Sequence, residues 1–540
     1  MRTYDVIVLG GGIAGLYASL VCRLNGYSVC TVEQDNRWGG RIHTVHRDGE
    51  VYEAGAARFH KGHRRLIRLV KRYGIEMVEL DGRQREYRAV LCGAKPITSP
   101  SYELIQQIVS ASKQHPAALL RSMTLGEFTE MVLGSKNREL VRLSFGYDGE
   151  FEAINAYDGV QMFSRDFKIG ERFYVCRNGL SDVIHRMVTE LEGLGEWDSM
   201  LEHRVENVRR DGSTSTYSVT VSRPNGSRTH LRTKAVIAAL PRKGLAGIRQ
   251  WDQQQLAYIN SVTDIPLERI YAKYSTPWIA GARITTTDLP IRQFIPINDK
   301  FAMVSYSDIG HADRWNSTAA MGQDRLATRV RSGLKELFPE RKVPVKPEWI
   351  EAYYWDNGVH MWGRNVNSIK ASKYIRELLW DGSPDSGFYV CGEAYSTKQC
   401  WVDGALQTVD DVIPLVKKLL DNKNDSKKTE IKKDGGATWI TWAKERAGEN
   451  GLLKKADLEE LKRAYPDAKW VLFQDRLLNI EQWYYIHPGG QWPFDQHMYK
   501  DIYPFFNKIG HHHVDGDTRG NIKDGVMKKV EGLTIARILV

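Results

Sequence analysis

The chain has no stretch approaching the roughly eighteen consecutive apolar residues of a membrane span, so no membrane partner is expected. An early apolar run, Val6 to Leu9, passes straight into glycines, which excludes a signal-peptide core and leads to the expectation of a soluble, intracellular, cytoplasmic protein. Six cysteines, Cys22, Cys30, Cys92, Cys176, Cys391 and Cys400, form no CxxC pair and no metal-ligand spacing. In 540 residues this argues against a disulfide framework and predicts free thiols in a reducing compartment. There is no internal repeat. The net charge of +10 gathers in KGHRRLIRLVKRYG (61–74) and KKLLDNKNDSKKTEIKK (417–433), and neither run is interleaved with a nucleic-acid-binding motif. Both read as a solvated helix face and a linker, and no nucleic-acid partner is expected.

What is present is a chain too long for one hydrophobic core, so two or three domains are expected. Residues 1 to about 420 alternate short β-branched runs with amphipathic helical stretches, the pattern of an α/β enzyme. Residues 421–437, DNKNDSKKTEIKKDGGA, lose apolar periodicity, gain lysine and end in a Gly-Gly pair, which marks a linker. The segment 438–540, rich in tryptophan and tyrosine, is long enough for an independent small domain.

The stretch VIVLGGGIAGLYASL joins an apolar strand to Gly10-x-Gly12-x-x-Gly15 and a helical pattern. In such a turn the first glycine permits the tight bend, the second lets a pyrophosphate approach the backbone, and the third lets helix pack on strand. The helix N-terminus then faces the phosphates. A second apolar strand, YSVCTVE, ends at Glu33, eighteen residues after Gly15, where a carboxylate accepts hydrogen bonds from ribose hydroxyls. Together these features predict dinucleotide binding.

Gly39-Gly40-Arg41, in EQDNRWGGRIHTV, resembles the second glycine motif of the FAD-dependent amine oxidase family, which includes monoamine, polyamine and L-amino-acid oxidases. YEAGAARFHKGHRRLIRLVKRYG, with its turn Gly55-Ala56-Ala57-Arg58, is similar to the family's strand-turn-helix beside the flavin. HRVENV places Val205 where the family's backbone holds the adenine, and AVIAALP (235–241) looks like the strand returning to the nucleotide domain. FYVCGEAYSTKQCWVDGALQT resembles the closing motif, in which Gly392 and Glu393 contact ribityl or phosphate groups and the helix start at Trp401 and Val402 faces the flavin ring. The resemblance implies a Rossmann-type FAD-binding domain (about 1–80, 200–245 and 385–420) interleaved with an α+β substrate domain.

It further implies that Trp401 walls the substrate site and that YYWDNGVHMWGRN (353–365) supplies the opposite wall through Trp362 or His360. A basic residue of PLERIYAKYSTPW (266–278), Arg269 or Lys273, is expected to face the flavin. Monoamine oxidases carry in the 353–365 region a cysteine bonded to the flavin; this chain has none there, so FAD is expected to be noncovalent. Arg58 stands where L-amino-acid oxidases place an arginine for the substrate carboxylate, a role that suits the planar guanidinium fork. Satisfying flavin phosphates or local carbonyls is the equal alternative. Asp356, Asp403 and Glu393 are too generic to identify a polyamine site.

AKWVLFQDRLLNIEQWYYIHPGGQW reads as strand, turn, strand and short helix before His487-Pro488-Gly489-Gly490, and resembles the core of cytochrome b5. The resemblance implies a small α+β domain holding haem b between His487 and His511, which lies 24 residues on in DIYPFFNKIGHH. Trp483, Tyr484, Tyr485, Trp492, Phe505 and Phe506 suit its pocket. A bis-histidine haem leaves no open iron site and moves electrons. Tyr503 and Pro504 depart from the family's pattern, His512 competes with His511, and a haem-free docking module is the alternative.

The combined expectation is an FAD-dependent oxidoreductase that oxidises a C–N bond of a small-molecule amine or amino acid to an imine. Its electrons pass to the fused haem, another redox acceptor or oxygen. The competing readings are an L-amino-acid oxidase that produces peroxide with an accessory carboxy-terminal domain, and a nonenzymatic interaction protein that retains FAD.

Overall fold

A computed structural model describes residues 2–80, 85–93, 95–428, 439–448, 451–464, 470–473, 476–479, 499–500 and 534–539. Two compact units emerge, Met1–Ser426 and Lys427–Val540. Among the described residues no helix is long and apolar enough to cross a membrane, and all six thiols are free.

The first unit is organised around a seven-stranded sheet. Thr3–Leu9 lies in its middle, parallel to Val29–Val32 on one side and to the strand Arg228–Ala238 on the other. Val6, Ile7, Val8 and Leu9 are wholly buried, as a parallel strand covered on both faces requires. Arg228–Ala238 changes partner along its length. Its first half pairs antiparallel with Thr216–Ser222, and its second half pairs parallel with Phe388–Val390. That exchange sets the closing strand, nearly 400 residues into the chain, across Arg228–Ala238 from the first one. The helix Ile13–Leu24 packs its Leu16, Ala18 and Leu20 into a core shared with Leu406, Val409 and Val416 of the long helix Val402–Lys428. This last helix continues to Lys428, inside the stretch read as linker, because no glycine or proline interrupts 415–428.

A second seven-stranded sheet carries the other half of the unit. Val262–Lys273 runs antiparallel between Phe301–Asp308 and Trp349–Trp362. Side chains alternate across a strand: Ile265, Leu267, Arg269 and Tyr271 line a cavity, while Ile270 and Ala272 pack under helices Ile309–Ala320 and Gln323–Leu337. A register shift opposite Ile270 and Tyr271 lets Met303 and Tyr306, three residues apart, both reach the cavity. Helices between residues 101 and 166 cover this side with an aromatic core that includes Phe128, Phe145, Phe151 and Phe163. The basic helix Arg64–Arg72 buries Leu66, Leu69 and Val70, and pairs Arg65 with Asp410 and Arg72 with Glu190.

In the second unit, a four-stranded sheet has the order Leu452–Lys454, Thr534–Leu539, Arg476–Asn479, Trp470–Phe473. The first pair is parallel and the others antiparallel. Leu453, Leu458, Leu461, Trp470 and Leu477 form its core. Trp470–Phe473 and Arg476–Asn479 thus pair antiparallel, where two strands were expected. His487, His511, His512 and the aromatic residues assigned to a haem pocket lie outside the described residues.

Candidate active site

A single cavity of about 1050 Å³ opens at the glycine turn and continues to the substrate-side sheet. Its floor at the first end is backbone. Gly10 has φ of +101°, and a Cβ there would meet Ala239 O at 2.6 Å. A Cβ on Gly15 would lie 1.9 Å from Gly10 O, so the helix can approach the turn only because this side chain is absent. Gly12 differs, since it lines the cavity and its Cβ would meet no protein atom nearer than Gly39 O at 3.9 Å. A methyl group there would fill the cavity and not the fold. Gly12 also caps the helix Ile13–Leu24, whose first turn has no acidic residue to use its amides.

Glu33 closes this cradle. Its Oε2 accepts Gly11 N–H at 2.6 Å and its Oε1 accepts Asp35 N–H at 2.9 Å, so the carboxylate shapes the glycine loop as well as facing the cavity. Gly39, Gly40, Arg41, Val205, Gly392, Glu393 and Val402 also line the cavity, as do Gly55, Ala56, Ala57 and Arg58 of the turn. These residues fit FAD: a glycine-floored helix N-terminus for pyrophosphate, a carboxylate at the strand end for ribose, and a volume at the top of the range of about 300–1,000 Å³ for small-molecule sites.

Glu393 is fully engaged. It accepts Arg41 Nη1 at 2.6 Å, His360 N–H at 3.1 Å, Cys400 N–H at 2.9 Å, and contacts His360 Nδ1 at 2.8 Å. Burial alone would push its carboxyl up, but Arg41 and His360 hold it well below the usual range. His360 Nε2 lies 3.3 Å from Asp264, which Arg242 grips with two bonds. A continuous chain of polar contacts therefore runs from Arg41 through Glu393, His360 and Asp264 to Arg242.

Two expectations for the substrate end are corrected. Trp362 does not wall the cavity. It is 1% exposed, its Nε1 donates to Ser396 O at 3.0 Å, and it packs in the core beside Tyr395. His360 is fully buried in the chain of contacts just described. The same segment supplies the wall through Trp355, Asp356, Asn357, Gly358 and Val359, with Trp355 Nε1 donating to Ala54 O at 2.8 Å. Lys273 also lies elsewhere: at the strand end its Nζ bonds Asp48 O at 2.7 Å and pairs with Glu50 at 3.1 Å. Arg269 lines the cavity, where it donates to the carbonyls of Glu53 and Gly55 and approaches the Tyr306 hydroxyl at 3.3 Å.

Arg58 and Trp401 both line the cavity. Arg58 Nη2 lies 3.3 Å from the Tyr147 hydroxyl, and its guanidinium stands 4.7 Å over the Phe173 ring. Three further lining residues, Tyr147, Glu150 and Asp308, carry no motif in the sequence, and a fourth, Cys400, lies in the closing motif without an expected role. Burial raises the Glu150 and Asp308 carboxyls, helped by Asp308 beside Glu150 and by Asp148 beside Asp308. Asp308 accepts the amides of Asp148 and Gly149 at 3.1 and 2.7 Å. Cys400, next to Trp401 and outside 353–365, has its thiol pushed well above the ordinary value by burial, which disfavours the reactive thiolate.

A family model for a flavin containing amine oxidoreductase matches residues 143–408, and one for an NAD(P)-binding Rossmann-like domain matches residues 8–73. The flavin-dependent L-tryptophan oxidase RebO of Lentzea aerocolonigenes is 23% identical over 464 residues, 75% of this chain and 96% of that protein. The L-amino-acid oxidase of Mus musculus is 38% identical over 80 residues, 14% of this chain and 13% of the relative. A flavin-containing amine oxidase of Oncorhynchus mykiss is 36% identical over 85 residues, 16% of each chain. Among solved structures, a putrescine oxidase with redesigned cofactor binding has a TM-score of 0.61 at 16% identity, covering 77% of this chain and 99% of that one; this likeness speaks for the fold. With the glycine cradle and the strands Val262–Lys273, Phe301–Asp308 and Trp349–Trp362 inside the matched segments, the chain belongs to the FAD-dependent amine oxidase family.

Proposed function

We propose that this enzyme oxidises the C–N bond of an amine or an amino acid to an imine, with FAD held noncovalently and the substrate between Trp401 and Arg58. The observation that carries the reading is the continuity of one cavity from Gly10 and Gly12 to Arg58 and Trp401. Bound FAD supplies the two-electron acceptor for the C–N bond. The chain's own residues bind, orient and exclude water. Trp401 offers a flat apolar face beside the reacting carbon, and Trp355, Tyr147 and Tyr306 narrow the space around it. Arg58 has a phenol and an aromatic ring as its contacts, which leaves the guanidinium fork suited to a substrate carboxylate. This feature favours an amino acid over a simple amine. Burial raises Glu150 to about 8 and Asp308 to about 6, so each takes a proton from the substrate ammonium only at a pH where it is ionised, and oxidation requires the neutral amine.

The test is anaerobic mixing of the holoenzyme with amines, polyamines and amino acids while the flavin absorbance is followed. Amino acids are expected to bleach it; bleaching by amines alone would remove the carboxylate-clamp reading, and no bleaching by any of them would favour a binding protein. Noncovalent FAD predicts a colourless pellet after acid precipitation. For the carboxy-terminal unit we propose haem b between His487 and His511 as an electron acceptor, supported by HPGG at 487–490 and the 24-residue interval. Oxygen, with peroxide as product, is the competing acceptor. A Soret band in the full chain, lost in His487→Ala, is expected; its absence after haem supplementation would overturn the haem reading.

A further inference from the structure

Asp166 ends the helix Ala156–Asp166 and is fully buried. Its Oδ2 accepts Trp401 Nε1–H at 2.8 Å and Arg165 Nη2 at 2.7 Å. Its Oδ1 accepts Arg165 Nε at 2.7 Å and faces His60 Nε2 at 3.2 Å. Trp401 is therefore tethered by its one polar atom, while its ring stacks on Phe173 at 6.2 Å and 17° and meets His63 at 4.5 Å. Phe173 is also the ring over which Arg58 stands, and strand pairing sets it opposite His60, two residues from Arg58. One carboxylate thus anchors a connected set that ends in the two side chains assigned to substrate.

A metal centre is the rival use of this cluster. His60, His63 and Asp166 offer ligand atoms within 4.8 Å of one another, and His63 Nε2 is buried without a hydrogen-bond partner. Two features weigh against it. The four contacts to Asp166 occupy the roughly four acceptor positions of a carboxylate. The Arg165 guanidinium also puts a positive charge 2.7 Å from both ligand oxygens, where a cation would have to approach. Burial would push Asp166 up, but the His60 and Arg165 bonds bring it below the usual range, so it remains an ionised acceptor. Burial keeps His63 neutral, pushed down to about 3, and so a plain aromatic neighbour for the indole.

We infer that Asp166 is the positioning residue of the substrate site: it fixes the plane of Trp401 and, through Phe173, the placement of Trp401 relative to Arg58. This rests on the proposed roles of Trp401 and Arg58. The indole N–H bond to an ionised carboxylate is short and directional, so the aromatic wall cannot turn without breaking it. The consequence is a substrate chamber of set width, selective for the shape of the group attached to the reacting carbon.

Fluorine NMR of the holoenzyme labelled with 5-fluorotryptophan tests the inference without a substrate. The resonance removed by Trp401→Phe belongs to Trp401. It is expected to shift and broaden in Asp166→Asn, and to stay in place in Glu171→Gln, which alters a neighbour of His60 without touching the indole. Where Asp166→Asn gives no folded holoenzyme, Arg165→Lys, which loosens the fork on Asp166, is expected to move the same resonance less. With a substrate that bleaches the flavin, Asp166→Asn should lower kcat/KM about tenfold in the native background and leave it nearly unchanged in Trp401→Phe, where no indole N–H remains. An unmoved Trp401 resonance, equal losses in both backgrounds, or stoichiometric zinc that Asp166→Asn releases would overturn the inference. A Trp401→Phe enzyme with native KM would remove the wall reading while leaving the NMR result intact.

Discussion

At the cofactor end of the cavity the surface is largely backbone, held by Gly10, Gly12, Gly39 and Gly40 within 31 consecutive residues. At the substrate end it is side chains, with Arg58, Tyr147, Glu150, Arg269, Tyr306 and Trp401 delivered by separate segments. The first end depends on the absence of Cβ atoms against neighbouring backbone, which cannot move away. The second depends on charges and rings whose identities can change while the fold stands. One end is therefore intolerant of single atoms, and the other is where substrate preference is set.

The sharpest way to break this contrast is Gly15→Ala. Its Cβ would sit 1.9 Å from the Gly10 carbonyl oxygen, and no folded flavoprotein is expected on purification. Gly12→Ala should instead fold with a near-native Tm but bind FAD more weakly, measured by the ratio of flavin to protein absorbance. Normal FAD content in that variant would refute the backbone cradle. At the other end, Arg58→Ala should raise KM for amino acids about a hundredfold, as loss of a bidentate charge-assisted contact does, and leave KM for simple amines nearly unchanged.

A residue on neither surface sharpens the contrast from outside. Glu268, beside Arg269 but facing the opposite side of the strand, is fully buried, and neither of its carboxylate oxygens has a hydrogen-bond partner. Burial pushes it up to about 8 from 4.5. Because the folded value exceeds the unfolded one, its protonated form is stable in the fold below pH 4.5, and stability falls as pH climbs towards 8. The slope is at most about 1.4 kcal/mol per pH unit. Glu268→Met should remove that slope, raising Tm more at pH 8 than at pH 5. The smallest effect is expected from Asp308→Asn. Asp308 helps raise Glu150, so the pH limb of kcat/KM that Glu150 controls should move to lower pH in this variant.

The cofactor half was legible because its demands are local. A turn that needs glycine shows glycine in the sequence, and the strand before it and helix behind it are contiguous with the motif. Even there, the grip of Glu33 on Gly11 N–H was not visible, since it depends on how the second strand meets the loop. Arg269 and Lys273 illustrate the limit at the other end. Four residues apart on one strand, they share a face, and alternation alone cannot separate them. Only the position of the cavity along the strand gives Arg269 to it and Lys273 to Glu50. Trp362 shows the same limit, for its segment reaches the cavity while its own indole N–H finds an acceptor in the core.

By itself the sequence determined the glycine cradle, the order of the motifs and the α/β alternation, because each is written in neighbouring residues obeying backbone geometry. Only the tertiary structure decided that Glu150, Asp308, Tyr147 and Cys400 face one cavity, and that Asp166 holds Trp401 across 235 residues of chain. Those contacts come from long-range strand pairing and burial, whose effects on charge and orientation depend on partners far away in the sequence.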